Sequence, residues 1–162
     1  MASTAVTTKK EEQKKMLGIK PYISFKGNCK EAIDFYKEKL GAEVLFSQTY
    51  GESPMAEHAP DNPDLIMHTS IKIGDSVIMA CDNVFEGKNP TVVGNNISLA
   101  VGTNDIADAE RKFDAMSDGA TIVMPMQETF WAERFGMLTD KFGINWMFNC
   151  DKPHDEQAKA TA

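Results

Sequence analysis

The chain has 162 residues, 42% of them hydrophobic, and a formal net charge of −7. That is apolar material for one core, at the length of a single domain or of two half-domains sharing it. The acidic balance argues against nucleic acid as a partner, because phosphate binding needs a basic face. No run approaches the roughly 18 apolar residues of a membrane-spanning helix.

The opening residues, MASTAVTTKKEEQKK, lack the apolar core of a secretory signal. Residues 1–16 and 151–162 mix small and charged side chains, can bury little, and are expected to be flexible tails. Cys29, Cys81 and Cys150 are an odd number without C-x-x-C spacing. They argue against a disulfide framework or zinc knuckle and for a reducing compartment, so a cytoplasmic location is expected.

Between the tails, Leu17–Phe25 is β-prone and ends at Gly27-Asn28. Cys29–Leu40 carries Ala32, Ile33, Phe35, Tyr36 and Leu40 at helical spacing, with Asn28 as the expected N-cap and Gly41 as the C-terminal stop. A strand over Ala42–Tyr50 precedes Gly51–Asp64, a proline-rich loop long enough for a lid. Strands over Leu65–Ile73 and Ser76–Asp82 meet at Gly74-Asp75. These elements make 17–82 one β-α-β-β-β unit, and 83–95 reads as a linker. Residues 96–150 repeat the pattern: a strand over Asn96–Val101, a helix over Asp105–Ser117 with caps available from Thr103, Asn104 or Asp105, and a strand over Ala120–Met126. Thr129–Cys150, with both tryptophans, then forms two strands joined at Asp140-Lys141-Phe142-Gly143, where Gly143 supplies the unusual backbone angle.

The halves also match residue for residue. Aligned on Gly74 and Gly143, IGDSVIMACD lies over FGINWMFNCD, pairing Cys81-Asp82 with Cys150-Asp151. A degenerate internal repeat follows, and its halves are expected to cover each other's sheet faces with a concave surface between them.

KPYISFKGNCKEAIDFYKEKLGAEV (Lys20–Val44), MHTSIKIGDSVIMACD (Met67–Asp82) and QETFWAERFGMLTDKFGINWMFN (Gln127–Asn149) resemble the vicinal oxygen chelate superfamily of glyoxalases, bleomycin-resistance proteins and dioxygenases, in its PhnB-like branch. The resemblance implies an α+β fold of two βαβββ modules with curled mixed sheets around a cavity, and a homodimer. It also implies a divalent metal held by His, Gln or Glu from the first and last strand of each module. At those positions this chain has Pro21, Ile78, Asn96 (or Ile97) and Met147, so the usual metal site is expected to be absent. Some PhnB-like chains are labelled methyltransferases, but no Gly-rich strand-turn-helix fingerprint for a nucleotide-bearing cofactor is present.

Among the candidate site residues, His68 starts a strand and can serve as acid or base, with Glu128 as a second catalytic candidate. Phe130, Trp131, Phe135 and Met147 offer stacking and apolar contact, and Arg134 can pair with an anion. Met55, Met79 and Met124 add pliable lining. His58 beside Glu57 in the long loop is an alternative metal pair, and His154 belongs to the tail. Cys81 and Cys150 read as buried structural thiols, and Asp75 and Asp140 as turn formers. Three readings follow. The first is metal-independent binding of a small molecule in an aromatic cavity, with neither nucleic acid nor membrane as partner. The second is an enzyme of the superfamily with a rearranged site, and the third a structural or regulatory dimer.

Overall fold

The structure is a computed structural model that describes residues 17–58 and 61–153. The tail readings for 1–16 and 154–162, with His154, lie outside the described residues. The elements come in the expected order: β1 Tyr22–Phe25, α1 Cys29–Leu40, β2 Glu43–Thr49, β3 Ile66–Ile73, β4 Ser76–Asp82, β5 Leu99–Thr103, α2 Ile106–Met116, β6 Thr121–Gln127, β7 Ala132–Thr139 and β8 Asn145–Asp151. They form two mixed four-stranded sheets, ordered β1-β4-β3-β2 and β5-β8-β7-β6. This is the α+β fold of two βαβββ modules. In both modules the first and last strands run parallel and the other pairings are antiparallel.

Strand β1 is shorter than the β-prone run, because Pro21 has no N–H to give the ladder and Leu17 and Ile19 are exposed. β5 begins at Leu99, later than expected, so the linker runs on through Asn96 and Ile97. No helix among the described residues is long and apolar enough to cross a membrane.

Both helices follow their apolar spacing. α1 buries Ala32, Ile33, Phe35, Tyr36 and Leu40, and Gly41 closes it in the left-handed region at φ 68°. Asn28 occupies its N-cap position but makes no side-chain cap. The free N–H of Cys29 is instead taken by Asp82, from the end of β4, at 2.9 Å. The other oxygen of that buried carboxylate accepts from Ile66 N–H, also at 2.9 Å. One side chain thereby fixes the helix start to both β3 and β4. In α2, Asp105 is the working cap, accepting from Asp108 N–H.

The modules do not lay sheet on sheet as expected. α1 covers β3 and β4, α2 covers β5, β7 and β8, and the two helices pack against each other. One core therefore runs from Phe25, Tyr36 and Ile71 through Phe113 and Met116 to Trp146 and Phe148. No strand of one sheet pairs with a strand of the other. The faces turned away from the helices stay open.

The tip of the β7–β8 hairpin crosses from the second module onto α1. Phe142 packs edge-on against Phe25, Phe35 and Tyr36. Asp140 is only 4% exposed. Its Oδ2 accepts from Tyr36 Oη–H at 2.7 Å and from Trp146 Nε1–H at 2.9 Å. Its Oδ1 accepts from the backbone N–H of Phe142 and Ile144, each at 2.9 Å. Burial and the neighbouring carboxylate push the Tyr36 phenol far above its ordinary range, so it stays a donor. The expected turn former is also the tie between the modules.

Face parity corrects the alignment of the repeat. Counting by the buried last-strand residues, the pairs Ile23–Ala80 and Phe25–Asp82 in the first module correspond to Val101–Phe148 and Thr103–Cys150 in the second. Asp82 is thus the counterpart of Cys150, and Cys81 of Asn149, one residue out of step with the glycine-anchored match. The cause lies in the hairpins. Gly74 and Asp75 alone connect β3 to β4, whereas Asp140 through Ile144 connect β7 to β8. Matching the glycines therefore inverts the faces of the last strand.

Replacing Asp140 by Ala strands two buried side-chain donors and two part-buried backbone N–H groups at once. We expect a loss of about 4 kcal/mol or more in unfolding free energy, against about 1 kcal/mol for Tyr36→Phe, which removes a single bond. Urea denaturation of both variants checks the order, and equal losses would mean that Asp140 is only a turn residue.

Candidate functional site

Pairing register assigns the residues of the two open faces. On the first sheet one row across the strands is Tyr22, Met79, Ser70 and Phe46. Beside it lie Ser24 with Cys81, and His68 with Gln48. On the second sheet the equivalent rows are Ala100, Met147, Met137 and Met124, then Gly102, Asn149, Phe135 and Gln127. The first face is polar and aromatic. The second is thioether and aromatic, with amides at its border.

His68 lies on the open face, as a cavity role requires. Tyr22 Oη is 3.1 Å from His68 Nδ1. The imidazole also sits between the rings of Tyr22 and Phe46, with centroids 5.6 and 6.0 Å away. Tyr22 and Phe46 are each half-exposed. Partial burial and nearby Cys81 push the Tyr22 phenol up to about 12. Glu128, the other catalytic candidate, belongs to the second module. It is exposed and bonded to Lys152 at 2.7 Å, which holds its carboxyl below the usual range. Each candidate thus has its own partner in its own module.

Phe130, Trp131 and Phe135 do come together. The Trp131 ring meets Phe130 at 4.6 Å and Phe135 at 5.4 Å, both edge-on. Phe135 is buried, whereas Trp131 and Phe130 stay exposed. Met147 lies further along the same face beside Met137 and Ala100. Arg134 faces the other way, toward α2, where its Nε donates to Glu110 at 2.7 Å, a bond that raises its already high pKa. Met55 lies in the loop outside both faces, and Met79 and Met124 lie on them. Glu57 falls in a short 3-10 turn, Ala56–His58, and the His58 side chain lies outside the described residues.

The residues do not fit the divalent metal that the fold's chemistry uses. Pro21 precedes β1 and uses its carbonyl to accept from Met79 N–H. Ile78 is buried against the helices, Asn96 lies in the linker, and only Met147 faces the open side. The residues that register does place there on first and last strands are Tyr22, Ser24, Met79 and Cys81, then Ala100, Gly102, Met147 and Asn149. None is His or a carboxylate. Among the described residues no three His, Cys, Asp or Glu side chains converge as a metal site would need.

Two cavities lie instead along the seam between modules. One of about 640 Å³ sits under the linker, between Val92, Val93 and Ile97 above and Ile23 and Phe142 below. The other, about 760 Å³, is bounded by Leu40, Ile78, Leu99 and Trp146, with Lys20 and Lys112 at its edge. Tyr22 lines the first, but neither is lined by His68, Glu128, Phe130, Trp131, Arg134, Phe135 or Met147.

Two further residues escaped sequence reasoning. Asn149 Oδ1 is buried without a partner, while its Nδ2 donates to Asp151 at 2.6 Å. Tyr22 reads in the sequence only as core. The thiols also separate. Cys29 and Cys150 are buried, with their thiols pushed up by burial, but Cys81 is only half-buried on the open face, near Ser24.

Two βαβββ modules with open sheet faces are the architecture shared by glyoxalases, resistance proteins and extradiol dioxygenases. The family profile described as Glyoxalase/Bleomycin resistance protein/Dioxygenase superfamily matches residues 18–148, and the chain belongs to that superfamily. It is 38% identical over 148 residues to protein YjdN of Escherichia coli, covering 86% of this chain and 99% of that one. It is also 38% identical to the crystal structure of protein PA1353 from Pseudomonas aeruginosa, at TM-score 0.76 over 85% of this chain and all of that one. A PhnB protein from Bacillus cereus shares the fold at 21% identity and TM-score 0.68, covering 82% and 98% of the two chains.

Accessibility makes Cys81 the reactive thiol, because Cys29 and Cys150 are buried. We expect DTNB to modify Cys81 in the native protein and Cys29 and Cys150 only after unfolding. Cys81→Ser should abolish the native reaction, and equal reactivity of all three thiols would contradict this placement.

Proposed function

We propose that the protein is a metal-independent small-molecule binding protein of the bleomycin-resistance type, taking a planar or amphipathic ligand between open sheet faces apposed in a homodimer. The observation that carries this reading is the content of those faces. On the open sides of its first and last strands this chain presents Tyr22, Met79, Ala100 and Met147, none of them His or a carboxylate. Rings and thioethers dominate the rest of the second face. Such groups give dispersion, stacking and shape adaptation, which is what binding a flat apolar ligand requires.

Exposure supports the dimer: Tyr22 and Phe46 on the first sheet and Phe130 and Trp131 at the second are large apolar side chains left exposed, surface that a second copy would cover. A second copy supplies the missing wall, because the first and second sheets carry complementary polar and apolar faces. Sedimentation at micromolar concentration should give twice the 17.9 kDa chain mass, and a monomer would refute the pairing.

Tryptophan emission tests the binding. Trp146 is 2% exposed behind the helices, so quenching by a ligand reports on Trp131. Titration with a panel of aromatic drugs and metabolites should quench the wild type and leave Trp131→Phe unchanged. Elemental analysis of protein purified without chelator should return Ni, Zn, Fe and Mn well below one per chain. A stoichiometric metal lost in His68→Ala would overturn the metal-free reading in favour of an enzyme.

A further inference from the structure

We infer that Asn149 forms, with the hollow above Gly102, a subsite for a hydrogen-bond donor, so that the ligand is a planar molecule carrying an N–H or O–H on its edge. This rests on the open faces being the binding surface and names the chemistry that the second face selects.

Asn149 Oδ1 is buried and has no hydrogen-bond partner among the described residues. Asp151 fixes which way the amide points. A carboxylate can only accept, so the atom 2.6 Å from Asp151 Oδ1 is the amide NH2, and the atom left over is the carbonyl oxygen. An acceptor cut off from both water and donors costs the fold free energy, and native proteins hold few of them. A ligand that brings a donor removes that cost. A ligand that brings only acceptors does not.

The surroundings shape the rest of the ligand. Asn149 belongs to the row Gly102, Asn149, Phe135 and Gln127 on the open side of the second sheet. On one side of the amide stands the ring cluster, with Phe135 as its cross-strand neighbour and Trp131 packed on Phe135 at 5.4 Å. On the other side there is room. A Cβ added to Gly102 would meet no atom within 4 Å, and Ala100, the next open-face residue of β5, is small and exposed. A flat body fits over Ala100 and Gly102, with Met147 beside it and its edge turned to the amide. Trp131 stands on the connection between β6 and β7 and not within a strand, and its ring turns aside as the donor reaches Oδ1. Asp151 next to the amide is a carboxylate, so an anionic ligand would meet like charge and offer no donor in return.

The test uses three bicyclic probes of similar shape, indole, benzothiophene and N-methylindole, titrated calorimetrically into the full-length protein. Only indole carries an N–H, and benzothiophene matches it in size. Indole should bind about tenfold more tightly than either of the others, the worth of one satisfied hydrogen bond. Asn149→Leu should bring indole down to the level of benzothiophene, whose own affinity should not change. The urea midpoint of that variant should stay at or above the wild-type value, because an unmatched acceptor has been removed. A clear drop would show that Oδ1 already had a donor and would overturn the subsite. Gly102→Val fills the hollow with a residue suited to a strand, so it should weaken all three probes without loss of stability. Indole affinity equal to that of benzothiophene, or unmoved in Asn149→Leu or Gly102→Val, would overturn the subsite while leaving the binding reading intact. Quenching of Trp131 by other aromatic compounds with no binding of the probes would do the same. If no probe bound the wild type and no aromatic compound quenched Trp131, the binding reading would fall and the subsite with it.

Discussion

The carboxylate of Asp140 is the constraint on which the arrangement of the two modules depends. A buried charge of this kind is tolerable only when every lone pair is used, and here both oxygens accept twice. Two of those bonds close its own turn. The other two reach Tyr36 on the first module's helix and Trp146 on the second module's last strand. Only the Tyr36 bond crosses between the modules, so lifting the hairpin tip from α1 would leave that buried hydroxyl unmatched and the carboxylate one donor short. Asp82 acts in the same way within the first module, tying the start of α1 to β3 and β4.

Because the modules are joined through helices and a hairpin tip, their sheets are left with one covered and one open face each. This geometry keeps the open faces out of the shared core. It also separates the chemistry by face. Arg134 is drawn to α2 by Glu110, while Phe135, one residue on, looks the other way. Strand alternation alone decides that one meets α2 and the other lies on the face away from the helices, beneath Trp131. The two open faces are not copies. The first kept phenol, imidazole, hydroxyl and thiol groups, and the second kept rings and methionines. A cavity built from one of each would have a hydrogen-bonding wall and an apolar wall, matching an amphipathic planar ligand.

Much of the fold was legible without coordinates. The 3.6-residue spacing in Cys29–Leu40 and the glycines at 41 and 143 placed helices and turns correctly. What misled was register. The glycine-anchored repeat placed Ile78 opposite Met147, but a longer second hairpin shifts β8 by one residue, and a shift of one reverses the face. Asn28 was a reasonable cap by type, yet the working cap comes from Asp82, distant in sequence and near in space. Tyr22 was invisible as a site residue, because nothing local distinguishes a half-exposed strand tyrosine from a core one.

By itself the sequence determined the two-module α+β fold and the superfamily, since these depend on local periodicity and on residue identity. Only the tertiary structure decided which side chains share a face. It turned Arg134 inward, set Trp131 against Phe130 and Phe135, joined His68 to Tyr22, and made Asp140 a bridge. Face, partner and burial are set by register and by contacts across distant parts of the chain, and a one-residue slip in a strand, unnoticeable in the sequence, exchanges what is buried for what can bind.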